Sequence, residues 1–168
     1  MLLSRWEGDD WKMRNLVPLL LFTVVLASPA FAGPAEHAIT SPDKVEWKPF
    51  VGPFTWAILS GDPMKKGSPF VIRIKHPDGV KVPPHWHPID EHATVLSGKF
   101  HVGMGKTFDE SKMEVIGPGG YLVLPKKMPH YAVGEGETIV QVHGVGPFKT
   151  IFVNPADDPT KAPASPQR

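Results

Sequence analysis

His85, His87, Glu91 and His92, each able to bind a metal, fall within eight residues of the stretch GVKVPPHWHPIDEHATVLSG. In an extended segment, residues two apart face the same way. His85 and His87 therefore share a face, with Trp86 on the other. Pro83 and Pro84 hold the approach extended, and Pro88 ends the strand just past His87. The chain then returns in a strand starting near Glu91. Its alternation puts Glu91, Ala93 and Val95 on one face and His92, Thr94 and Leu96 on the other. Two imidazoles and one carboxylate can converge on a divalent ion. His92 replaces Glu91 as the ligand only if a bulge shifts the register. A fourth ligand is expected from a separate segment, GGYLVLPKKMPHYAVG, in which His130 opens a strand.

The elements that must position these groups are short strands joined by tight turns. The first segment lies between turn signals at Asp78-Gly79 and Ser97-Gly98. In the second, Gly119-Gly120 makes a turn, Tyr121 to Leu124 an apolar strand, and Pro125 to Pro129 another turn. Together the two segments resemble the paired motifs of the cupin superfamily. The first family motif is Gly, five residues, His-x-His, three or four residues, Glu, six residues, Gly, and it is matched in full at Gly79, His85, His87, Glu91 and Gly98. The second is Gly, five residues, Pro-x-Gly, two residues, His, three residues, Asn. Gly119, Pro125 and His130 match it, while Lys127 stands where the family usually has Gly and Gly134 where it often has Asn. The resemblance covers about residues 69 to 153. It implies an all-β fold, a cupin-like double-stranded β-helix (jelly-roll barrel), with one metal inside held by His85, His87, Glu91 and His130. It also raises the expectation of a homodimer, for which the outer-face residues His92, Thr94 and Leu96 offer a contact surface. It selects no reaction, because cupins include dioxygenases, isomerases, lyases, decarboxylases, storage proteins and binding modules.

Three neutral imidazoles and one carboxylate leave a net charge of +1 on a bound divalent ion. Such a donor set is borderline in softness and admits Mn, Fe, Co, Ni, Cu or Zn. Calcium, which prefers mostly oxygen, is disfavoured. One or two coordination positions would remain for water or a substrate oxygen pair. The late strand Glu137 to Val145 supplies candidate catalytic groups. Ile139, Gln141 and His143 share one face, and Val140, Val142 and Gly144 the other. Burial of the valines is the simple pattern, yet a metalloenzyme barrel can have a partly polar interior, which would make His143 and Gln141 acid/base or substrate-donor groups. His76, before Pro77 at a turn, reads as an ordinary exposed histidine.

Composition bounds the function. The chain has 168 residues, a formal net charge of +1 and no cysteine. That charge suggests no nucleic-acid surface. The absence of cysteine removes disulfides, thiolate ligands and cysteine nucleophiles. Sixteen glycines and twenty prolines suit many short strands and turns. No serine elbow and no phosphate-binding glycine motif is present.

Residues 1–32 read as a signal peptide. Leu16 to Ala27 is mostly apolar, Lys12 and Arg14 precede it, and Ala30-Phe31-Ala32 supplies the small-x-small pattern. The acidic residues Glu7, Asp9 and Asp10 are foreign to a signal n-region, so Met13 is the better start. Residues 33–44 are expected as a flexible leader, 45–154 as the cupin domain and 155–168 as a disordered tail. The expected location is periplasmic or secreted, with no membrane insertion after processing. The function expected is a metal-dependent enzyme acting on a small oxygen-rich or carboxylated molecule. The alternatives are a non-catalytic small-ligand-binding or sensor module, and a structural or metal-storage protein. The exported mature chain is expected to begin at Gly33, read by intact-mass measurement; a mature protein that retains Leu16 to Ala27 would contradict it.

Overall fold

The computed structural model describes residues 37–161. The expected signal peptide, residues 33–36 of the leader and residues 162–168 lie outside that range. Among the described residues nine strands carry the fold: β1 (Lys48–Pro49), β2 (Thr55–Gly61), β3 (Pro69–His76), β4 (Lys81–Trp86), β5 (Glu91–Met104), β6 (Glu114–Ile116), β7 (Tyr121–Leu124), β8 (His130–Val145) and β9 (Ile151–Phe152). Every pairing between them is antiparallel. Among the described residues the only helical pieces are single 3-10 turns. This is the all-β, cupin-like double-stranded β-helix that the motifs imply.

Two long strands, β5 and β8, form the spine. They pair along most of their length, from His92 against His143 to Met104 against His130. The far edge of β8 is divided: its second half pairs with β3 and its first half with β4. The far edge of β5 is divided likewise, between β7 near Glu91 and β6 near Phe100. One sheet is thereby made to curl over itself, because each long strand serves two neighbours that diverge. The bend has a local cause. The β5–β8 register slips on either side of Ser97, where Gly98 has φ 69° and Gly136 has φ 73°. Ser97-Gly98 is therefore a bulge within one continuous strand, not the turn expected from the dipeptide, since a bulge uses the same left-handed glycine as a turn does. A Cβ on Gly98 would lie 2.3 Å from Thr138 Oγ1 and 2.7 Å from its Cα, so no larger residue fits this crossing.

Alternation along the strands decides the core. Phe70, Ile72 and Ile74 of β3, Ala93 and Val95 of β5, and Val140 and Val142 of β8 are buried in one cluster. Each large aliphatic side chain buried there contributes about 2 kcal/mol. Residues 155–157, expected in the disordered tail, form a 3-10 turn that Asn154 caps by accepting from the Ala156 N–H.

The turn before β8 carries the departure at Lys127, which has φ 63°. Lys127 occupies the left-handed conformation that glycine adopts without strain. It stays there because its N–H donates to the His87 carbonyl (2.8 Å) and the Met128 N–H closes the turn on Pro125 (3.0 Å). The first of these bonds ties the turn that delivers His130 to the strand end that delivers His87. Lys127→Gly is expected to raise stability by about 0.5–1 kcal/mol, because relief of the left-handed strain exceeds glycine's added unfolded-state entropy. An unchanged or lower urea midpoint would contradict this.

Candidate metal centre

Three strand ends meet at one place inside the curl. β4 brings His85, and His87 follows just past its end; β8 opens on His130, whose backbone pairs with His85. One ring nitrogen from each of His85, His87 and His130 lies within 4.8 Å of the other two. Glu91, the first residue of β5, completes the group: its Oε2 is 3.0 Å from His87 Nε2 and 3.8 Å from His130 Nε2. All four residues are buried.

The hydrogen bonds on the far side of each ring define what the near side can do. His85 Nδ1 lies 2.8 Å from the Pro83 carbonyl, His87 Nδ1 2.8 Å from the Lys149 carbonyl, and His130 Nδ1 3.1 Å from the Met128 carbonyl. A carbonyl only accepts, so each Nδ1 carries the proton and donates it. In the neutral rings the three Nε2 atoms then present lone pairs to one another and to a carboxylate. Glu91 Oε2 is buried with no aligned hydrogen-bond donor, despite its closeness to His87. Four electron pairs facing inward repel unless a cation sits among them. The residues therefore fit a divalent transition ion, with carbonyl-anchored imidazoles of the kind that orient metal ligands.

Electrostatics agree. Burial, with repulsion from His130 and His87, lowers the His85 pKa to about 3, and burial also lowers that of His130. Burial alone would raise the Glu91 pKa, but the surrounding imidazoles, His87 first, outweigh it and bring it down to about 2. His87 moves the other way: burial opposes its charge, yet Glu91 and the Lys149 carbonyl prevail and raise its pKa above the usual 6.5. A proton and a metal ion thus compete for the same gap between His87 and Glu91.

The centre opens on a cavity of about 260 Å³, lined mainly by aliphatic and phenylalanine side chains. Phe148 stacks on the His87 ring at 4.6 Å, holding its plane. The cavity lining includes Val140 and Val142, so the opposite face of β8 is the outer one. Gln141 and His143 are on that outer face, and the expectation of a pocket role for them is corrected. Gln141 Oε1 accepts from Arg73 Nε (3.1 Å), and His143 stacks on His92 at 5.1 Å. Core-facing valines outweigh a polar interior because burying Gln141 and His143 would require hydrogen-bond partners inside. His92 is also on the outer side, with Nδ1 2.5 Å from the Tyr121 hydroxyl, so the bulge that would have made it a ligand is absent at that point of β5.

One cavity residue escaped the sequence reading. His76 is buried, 7% exposed, and lines the cavity. The signal was available, since His76 continues the inward alternation of Phe70, Ile72 and Ile74. The adjacent Pro77 suggested a solvent-facing turn instead.

A family model for the ChrR cupin-like domain matches residues 35–149. The chain belongs to this cupin family. No curated protein matches the chain. Among solved structures, the cupin is similar to the polyketide cyclase RemF from Streptomyces resistomycificus, with 21% identity and a TM-score of 0.58 over 76% of this chain and 95% of that one. It is similar to KdgF from Halomonas sp., with 20% identity and a TM-score of 0.52 over 65% and 95% of the two chains. It is also similar to the DMSP lyase DddQ from Ruegeria pomeroyi DSS-3, with 20% identity and a TM-score of 0.51 over 64% and 60%. At these identities the likeness is one of fold.

Metal affinity is expected to be level in alkali and to fall roughly tenfold per pH unit as pH drops through the raised pKa of His87, because binding then displaces one proton. Competition with a chromophoric zinc chelator from about pH 9 to about pH 5 reads this. A fall that begins only well below the ordinary histidine value would contradict the assignment of His87 as the first group to take a proton.

Proposed function

We propose that this cupin is a metal-dependent enzyme acting on a small carboxylated or otherwise oxygen-bearing molecule, with His85, His87, Glu91 and His130 holding one divalent transition ion. The observation that carries this reading is the convergence of three Nε2 lone pairs and the Glu91 carboxylate on the wall of a cavity large enough for a small molecule. A structural or storage site would have no use for that space. When bound, the ion supplies a Lewis acid that can polarise an oxygen donor. The chain's own residues do the rest. The Pro83, Lys149 and Met128 carbonyls fix the imidazoles, Phe148 fixes the plane of His87, and the apolar lining excludes water and so strengthens electrostatic interactions inside. A fold shared with a polyketide cyclase and a DMSP lyase admits catalysis without selecting dioxygenase, isomerase, lyase or decarboxylase chemistry.

A non-catalytic ligand-binding or sensor role would use the same cavity, and turnover separates the two. His85→Ala and His130→Ala are expected to lower bound metal at least about tenfold, and His101→Ala, whose ring pairs with Glu135 on the surface, to leave it unchanged. Elemental analysis follows a circular dichroism check of each variant. The metal-loaded protein is then incubated with a panel of small carboxylates and hydroxylated acids and the mixtures read by mass spectrometry. Product formation lost with His130→Ala supports an enzyme. Normal metal content in a folded double variant lacking His85 and His130 rejects the site.

A further inference from the structure

Among the described residues the titratable cavity-lining groups outside the metal set are His76, Lys81 and Asp157. Two of them have partners. The Lys81 ammonium is paired with Glu110 and lies over the Phe108 ring, 4.9 Å from its centroid. Asp157 accepts from Asn154 Nδ2 at 3.3 Å. His76 differs: its Nδ1 is buried and has no hydrogen-bond partner. Its ring is held edge-on between Phe54 and Phe100, each with a centroid separation of 5.2 Å. A buried polar atom without a partner destabilises a fold. No neighbour bonds to it: the ring lies between two phenylalanines, and the position continues the alternation of Phe70, Ile72 and Ile74.

The backbone beside His76 is closely packed. Gly134 stands where the second cupin motif often has asparagine, and a Cβ there would come within 3.2 Å of the His76 Cβ and 3.0 Å of Thr138 Oγ1. The glycine at 134 thus lets the Thr138 side chain and the His76 Cβ pack against the backbone of β8.

We infer that the cavity binds a molecule with an apolar, aromatic body between two polar ends, an oxygen-bearing head directed at the His85–His87–His130 cluster and a hydroxyl directed at His76. This rests on the metal-site reading above and specifies its substrate class. The body follows from the lining, which includes Phe50, Phe54, Phe100, Phe152, Val140 and Val142. Such walls favour a flat apolar group over a sugar or a polyol, whose hydroxyls would lose water without replacement. The hydroxyl follows from His76, whose ring lines the cavity; its Nδ1 is covered as the ring stands, and rotation about Cβ–Cγ brings it round to the other edge of the ring. A neutral imidazole has one donor and one acceptor nitrogen, and a hydroxyl can serve either tautomer. Burial, only partly offset by Glu91, lowers the His76 pKa to about 4, which keeps the ring neutral at ordinary pH.

The test uses the full chain loaded with zinc, as wild type, His76→Leu and His76→Asn, with folding checked by circular dichroism and zinc counted in each. Calorimetric titrations compare 4-hydroxybenzoate, 4-hydroxyphenylacetate and 4-hydroxycinnamate with the parent acids that lack the hydroxyl; their graded lengths sample the span of the cavity. All three proteins are expected to hold stoichiometric zinc. Wild type should bind at least one hydroxylated acid about tenfold more tightly than its parent. His76→Leu should abolish that preference without weakening the parent acid, and His76→Asn should retain part of it. His76→Leu should melt no lower than wild type, because leucine removes the unpartnered nitrogen, whereas a structural histidine would leave a less stable protein. A preference that survives His76→Leu, no preference in wild type, or binding of acetate and oxalate but of none of the aromatic acids would each overturn the inference. Wild type that takes up no zinc would defeat the metal-site reading instead, and the hydroxyl preference is still read from the same titrations, so the two failures are distinct.

Discussion

The centre depends on three backbone carbonyls. Those of Pro83, Lys149 and Met128 each accept from an Nδ1 of a clustered histidine. Without them the tautomers would be free, and three imidazoles beside a carboxylate could relax into a self-satisfied hydrogen-bonded cluster. With them the Nε2 of each neutral ring presents a lone pair inward, and Glu91 Oε2 is left without an aligned donor. The protein thus builds a site whose remaining need is for positive charge. Two of the carbonyls belong to residues two before the histidine they serve, so they come with the local extended backbone. The third, Lys149, is 62 residues from His87 and comes only with the closed fold.

That closure depends on the long strands β5 and β8. Each is divided between two neighbours, and both bend near the slipped register around Ser97. The bend separates β3 from β4 along β8, which opens the space that becomes the cavity. The same bend explains the glycine at 98, which crosses Thr138 closely enough to exclude any Cβ. On the outer face, Tyr131 is fully buried beside Gly103, and its hydroxyl donates to the Asp109 carbonyl. The polar excursion between the two motifs therefore covers an aromatic residue that alternation turns away from the metal.

The cavity is divided in character. One end holds the four metal-binding groups, and the rest of the wall is mainly hydrocarbon, with His76 carrying a buried nitrogen that has no partner. This changes the kind of molecule the protein is expected to hold. An oxygen-rich substrate suits the ligand set, but the lining favours one whose oxygens are confined to its ends. Gln141 and His143, which would have made the interior more polar, instead join Arg73 and His92 in contacts on the outer face.

Spacing alone determined the parts of this protein that are local. The His85-x-His87 pair, the offset to Glu91, and the strand-turn-strand frame before His130 are consequences of a two-residue period and of proline and glycine punctuation, so they were legible before any fold was known. The inward sets of β3 and β5 were legible for the same reason. What depended on the tertiary structure was which face of a strand is covered. For β8 two readings of Gln141 and His143 were open, and the choice was made by β3 and β5 packing Ile72, Ile74, Ala93 and Val95 against Val140 and Val142. Ser97-Gly98 posed the same problem, since a left-handed glycine serves a turn or a bulge, and only the pairing with β8 distinguishes them. His76 shows the limit most clearly. Its alternation was in the sequence, but its burial comes from Phe54 and Phe100, on strands and loops that meet it only when the sheet curls.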